Sequence, residues 1–77
     1  MDVIAAEILT EFTGWGVAMG EYDEQVAWCI EHFGPKALFR DHVDDNRPWL
    51  TEYAGDGRWW WYFAREEYAT LFALRWL

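Results

Sequence analysis

Gly55-Asp56-Gly57-Arg58-Trp59-Trp60-Trp61-Tyr62-Phe63 is the stretch that decides how this chain folds. A Gly-Asp-Gly turn releases a run of aromatic residues, which pack well on a pleated surface, so 58–63 reads as a strand. Alternation sends Trp59, Trp61 and Phe63 to one side and Trp60, Tyr62 and Ala64 to the other. Both sides carry large rings, and helices lying on one face of a sheet cover only one of these sets. The remainder has to meet a long loop, another subunit or a target.

Working outward, Glu66 to about Ala73 reads as a short helix with Ala69, Phe72 and Ala73 facing inward, and Leu74 to Leu77 as a closing strand. Upstream, Ala37 to Arg40 fits a short strand and His42 to Pro48 a loop. A longer helix is expected from about Glu21 to Phe33. Glu21, Asp23 and Glu24 would crowd its first turn, where the helix dipole favours anions. Tyr22, Val26, Cys29, Ile30 and Phe33 repeat at helical spacing, and Gly34-Pro35 ends the pattern. Residues 4–13 fit a strand, or a helix capped by Asp2; the β-formers Ile8 to Thr13 favour the strand. Gly14, Gly16 and Gly20 then mark a flexible connection. The order β-α-β-β-α-β predicts an α+β fold: a small ferredoxin-like sheet with two helices on one face, in a single domain spanning 1–77.

A chain of 77 residues hides only about 60% of its unfolded surface, so it needs help to be stable. Cys29 is the sole cysteine, which excludes an internal disulfide and suits a reducing compartment. The help is aromatic: seven Trp, four Tyr and five Phe, each able to bury roughly 150–250 Å². The first apolar stretch is interrupted by Glu7 and Glu11, and no segment reaches the ~20 apolar residues of a membrane span. A cytoplasmic protein is expected.

The net charge of −8 argues against anionic membranes and against direct nucleic-acid binding, despite Arg residues among the aromatics. It is also uneven. Residues 1–35 hold seven acids and no Lys or Arg; residues 36–77 hold seven acids and all six basic residues, leaving −7 and −1. Such a pole would steer a basic partner towards it, although acids also keep an aromatic-rich protein soluble.

Residues suited to catalysis are few. Serine is absent. Cys29 lies on the apolar stripe and reads as core rather than as a nucleophile. Asp41, His42, Asp44 and Asp45 lack the spacing of a calcium or zinc site and read as a solvated loop. Glu66 and Glu67 are adjacent on a helix and do not converge, and His32 suits the end of a helix dipole. The two Gly-x-Gly pairs lack the rest of a phosphate-binding fingerprint. The expectation is a non-enzyme with no cofactor and no metal.

Two surfaces are candidates for binding. Trp28 lies roughly 200° around the helix from Val26, near Glu21, Glu24, Glu31 and His32. There it is either an aromatic anchor ringed by acids or covered by the Asp41–Tyr53 connection. The second is the uncovered face of the aromatic strand, where Arg58, Arg65 and Arg75 would lie over rings.

The C-terminal third also resembles the ending of a group of small phage proteins. In these an aromatic strand leads to a short acidic helix and a terminal Phe-x-Leu-Arg-Trp. The matching residues are Trp61, Phe63, Glu66, Glu67, Ala69, Leu71, Phe72, Leu74, Arg75 and Trp76, and the helix carrying Trp28 and Cys29 is similar too. Tyr68 and Ala73 stand where that group usually has Asp and Lys. The resemblance implies a phage or prophage origin and an α+β fold, and supplies no activity.

Charge, size and this ending lead to one expected function: an acidic inhibitor of a host defence system, of the general character of small anti-CRISPR proteins. It would act in the cytoplasm of an infected or lysogenic bacterial host. It would occupy a basic nucleic-acid-binding surface of a host protein as a partial nucleic-acid mimic, through Glu7, Glu11, Glu21, Glu24, Trp28, Glu31, Trp60 and Tyr62. The alternative is a structural or regulatory homodimer packed through its Trp-rich sheet faces.

Overall fold

The structure, a computed structural model, describes residues 4–11 and 17–76, with side chains for 4–10 and 22–76. Its elements are β1 (Ala6–Glu11), α1 (Val17–Phe33), a 3-10 turn at Arg40–His42, β2 (Trp49–Gly55), β3 (Arg58–Phe63) and α2 (Glu66–Trp76). The three strands form one sheet in the order β1-β3-β2, with β3 antiparallel to both neighbours. β1 and β2 therefore run parallel with β3 inserted between them, a split β-α-β unit. The β2–β3 hairpin turns at Asp56-Gly57, both at positive φ (56° and 76°), the geometry that matches the right-handed twist of paired strands.

The register explains the division of the aromatics. Ala6, Ile8 and Thr10 pair across β3 residues Phe63, Trp61 and Trp59, which pair in turn with Trp49, Thr51 and Tyr53. This face lies under both helices. Trp49, Trp61, Phe63, Cys29 and Phe72 are wholly buried there, with Ala69 and the flanks of Tyr22, Val26, Trp28 and Phe33 packed against them. The indole N–H groups of the two wholly buried tryptophans have acceptors: Trp61 Nε1 donates to Thr10 Oγ1 (2.9 Å) and Trp49 Nε1 to the Gly34 carbonyl (2.8 Å). Unpaired, such groups would oppose folding.

The other face is covered by irregular chain. Ala37 N–H donates to the Trp49 carbonyl (2.8 Å), and Lys36 bridges Trp49 in parallel. These contacts draw residues 36–43 under β2, where Ala37 and Val43 pack with Leu50 and Tyr62. Arg40 completes the cover, its guanidinium 5.2 Å from the Tyr62 ring and 3.3 Å from Glu52. The surplus aromatic face thus meets the protein's own connection between α1 and β2.

The α+β class stands, but the six-element ferredoxin-like order does not. Residues 37–40 are no strand: the one ladder contact beside them is the bridge made by Lys36, and the chain turns at Arg40–His42. The strand after α1 is instead Trp49–Gly55, where Leu50, Thr51 and Tyr53 supply β-forming side chains behind the stiff Pro48. The closing strand is replaced by helix through Trp76, because Phe72 and Trp76 continue the helical stripe into the core while Leu74 stays exposed. Leu77 lies outside the described residues, as do Phe12, Thr13, Gly14 and Gly16.

α1 begins four residues earlier than Glu21, with Gly20 inside it, so Glu21, Asp23 and Glu24 occupy its second turn and not its first. Its buried stripe is also rotated. Gln25 is 2% exposed and Ile30 53%, the reverse of the pattern expected from hydrophobicity. The helix packs against α2 as well as the sheet, and that second contact turns the Trp28 side inward and Ile30 outward. Gly34 ends α1 at φ 107°, its N–H donating to the Ile30 carbonyl at 3.0 Å.

Candidate protein-interaction surface

Glu24, Ala27, Trp28 and Glu31 follow one another at i, i+3, i+4 and i+7, which puts all four on one side of α1. The end of α2 stands opposite with Arg75 and Trp76. Between the two helices these six residues line an open cleft of about 360 Å³. The small side chain of Ala27 leaves room for it.

Trp28 forms the floor. Its indole meets Phe33, Phe72 and Trp76 edge-on (5.3, 6.2 and 6.4 Å) and stacks on the His32 ring at 4.3 Å. His32 Nδ1–H donates back to the Trp28 carbonyl (2.9 Å), which holds the two rings parallel. Trp28 is therefore half-buried, an aromatic surface fixed by α2 and not by the Asp41–Tyr53 connection. Arg75 lies with its guanidinium 4.0 Å from the Trp76 ring centroid, a cation–π contact.

Charge is distributed in a way that matters for this cleft. The ion pairs among the described residues are Arg40–Glu52, Arg58–Asp56 and Arg65–Asp45, all within the second half of the chain. Asp23, Glu24 and Glu31 on α1 and Glu7 on β1 are exposed and take part in none of them. The basic residues are thus partly consumed by acids of their own half. Those on α1 keep their charge facing outward.

The expected binding residues do not form one surface. Glu24, Trp28 and Glu31 come together at the cleft. Glu7, Trp60 and Tyr62 lie on the opposite side of the sheet, in register across β1 and β3. There Tyr62 is only 3% exposed and sits under Arg40, so it is part of the packing and not of an open surface. Burial, followed by its hydrogen bond to Glu52, raises its hydroxyl pKa. Glu11 belongs to β1 and Glu21 to α1 by backbone, and their side chains lie outside the described set. The opening acids are therefore divided between two sides of the fold, because a strand and a helix of one layered unit present their polar residues in opposite directions.

Arg75 and Trp76 complete the cleft and were hidden from sequence reasoning by taking 74–77 as a strand. Continuing the i, i+4 step from Phe72 to Trp76 would have found them. Of the arginines expected over rings, Arg75 is the one that lies over a ring among the described residues; Arg58 and Arg65 pair with Asp56 and Asp45, and Arg40 takes the place over Tyr62.

Two of the other candidate groups have structural roles. Cys29 is buried, and desolvation pushes its thiol up to about 12, which suppresses the nucleophilic thiolate. Asp44 Oδ1 accepts from the Asn46 and Arg47 N–H groups (2.8 and 2.9 Å), an Asx turn that closes the loop. No helix among the described residues is long and apolar enough to cross a membrane. No protein-family model matches the chain, and no curated protein or solved structure matches it either.

Proposed function

We propose that this chain is a non-enzymatic binding protein whose acidic α1 face engages a basic surface on a partner protein. One observation supports the reading above the others: Asp23, Glu24 and Glu31 are exposed and outside every ion pair among the described residues, and two of them rim an aromatic cleft. Acids that merely solubilise have no need of a rigid indole between them. An aromatic floor with a charged rim has the composition of an interaction hot spot, where the ring supplies desolvated area and the charges steer encounter.

The resemblance of the C-terminal third to small phage proteins gives this reading its specific form. The partner is a host defence protein, its basic surface one that ordinarily binds nucleic acid, and the chain an inhibitor that occupies it as a partial phosphate mimic. The seat of mimicry is narrower than the whole acidic half: it is the Glu24–Glu31 side of α1, with Glu7 facing elsewhere. The homodimer reading is less favoured, because residues 36–43 already cover much of the Trp60–Tyr62 face.

The test is capture from host lysate on the immobilised full chain, with duplex DNA as competitor. Nucleic-acid-binding proteins should be retained by wild type, displaced by DNA, and lost with the Glu24→Lys/Glu31→Lys variant. Retention of the same proteins by that variant would refute the assignment to α1.

A further inference from the structure

We infer that the α1–α2 cleft is a seat for an arginine side chain of the partner, now held in part by the protein's own Arg75. The inference rests on the reading of α1 as the binding face and adds the chemistry of its central contact. Glu24 and Glu31 stand two helical turns apart, at the ends of a gap of about 10 Å along the axis, with Trp28 midway. A flat cation entering that gap meets an indole below and a carboxylate on either side. Guanidinium fits better than ammonium, since it is planar, stacks on aromatic rings and gives up its hydration more readily.

Two details of the cleft point the same way. Arg75 already lays its guanidinium against Trp76, 4.0 Å from the ring centroid, and it enters no ion pair among the described residues. The wall thus shows the contact that an incoming arginine would make, and the resident group is free to move aside or share the carboxylates. Trp76 Nε1–H, moreover, is buried with no acceptor among the described residues. A buried donor of that kind is costly, so the Trp76 wall of the cleft is the part that gains most from rearranging when a partner binds.

The proposal is tested on the intact ¹⁵N-labelled chain by following the Trp28 and Trp76 indole N–H resonances. Nα-acetyl-arginine N-methylamide, its lysine counterpart and matched sodium chloride are the probes. The arginine probe should shift both resonances saturably, and the lysine probe should need at least about threefold more for half-saturation. Arg75→Ala should lower the arginine half-saturation by about threefold. Glu24→Gln/Glu31→Gln, both at exposed positions, should abolish saturation without unfolding the chain. Equal responses to arginine, lysine and salt, or an unchanged midpoint in Arg75→Ala, would overturn the seat. If the arginine seat fails while lysate capture remains DNA-competed and dependent on Glu24 and Glu31, the acidic face stands and only its central contact is wrong. Loss of that dependence removes the broader reading.

Discussion

The two faces of β3 carry nearly the same side chains and are covered by opposite means. Trp59, Trp61 and Phe63 lie beneath two helices, whose 3.6-residue repeat delivers Cys29, Ala69 and Phe72 into the gaps between rings. Trp60 and Tyr62 lie above residues 36–43, an irregular segment held by one bridge, one ion pair and a cation–π contact. The first face excludes water completely at its centre. The second leaves Trp60 partly exposed and, at its margin, Leu38 and Phe39 at 67% and 62% exposure. Regular elements place stability on one side of the sheet. That leaves the outer side of α1, remote from this requirement, able to carry unpaired charge.

The largest expected effect follows from exchanging rings on the two faces. Trp61→Ala empties a fully buried site and should lower unfolding free energy by about 3–5 kcal/mol, enough to unfold much of so small a protein. Trp60→Ala, at a partly exposed site, should cost distinctly less. Urea denaturation followed by far-ultraviolet circular dichroism compares them, and equal losses would show that the faces are not energetically distinct.

A subtler change probes the buried polar contact on the helix side. Thr10→Val conserves shape but leaves Trp61 Nε1–H without its acceptor, and should cost roughly 1–3 kcal/mol. A neutral result in the same denaturation experiment would mean that water or another group replaces the hydroxyl.

Smaller still at ordinary pH is the titration of the helix-side core. Cys29 has its thiol raised from 9.0 to about 12 by desolvation. A folded pKa above the unfolded one means that this contribution is whole below pH 9.0 and is lost as pH rises towards 12. Tyr22 and Tyr62, also raised chiefly by burial, act in the same direction. Thermal midpoints should therefore fall steadily above pH 9, with Cys29 alkylated by iodoacetamide only as the chain unfolds. Rapid alkylation of the native protein at pH 8 would contradict the burial.

Much of this architecture is legible in the sequence where local signals agree. The Gly55–Gly57 turn, the 58–63 strand, the end of α1 at Gly34 and the inward Ala69 and Phe72 all declare themselves by turn chemistry or period. Each failure has its own physical cause. Trp49–Gly55 hides its strand because Glu52 and Tyr53 dilute the apolar alternation. Leu74–Leu77 looks like a strand because four bulky residues in a short run cannot reveal a helical period. Gln25 and Ile30 exchange their expected environments because α1 packs on two neighbours at once, which periodicity on a single helix cannot show. Of the candidate site, the Glu24–Trp28–Glu31 face was readable from helical spacing. Its opposing wall was not, since Arg75 and Trp76 reach it only through tertiary packing.

The most direct test of the proposed role is the ionic-strength dependence of partner affinity. Once a captured partner is purified, its dissociation constant should be measured between about 50 and 500 mM salt for wild type and Glu24→Lys/Glu31→Lys. Wild-type affinity should weaken steeply with salt, and the double variant should bind weakly throughout with a nearly flat response. Parallel curves for the two proteins would contradict the assignment of binding to the α1 acids.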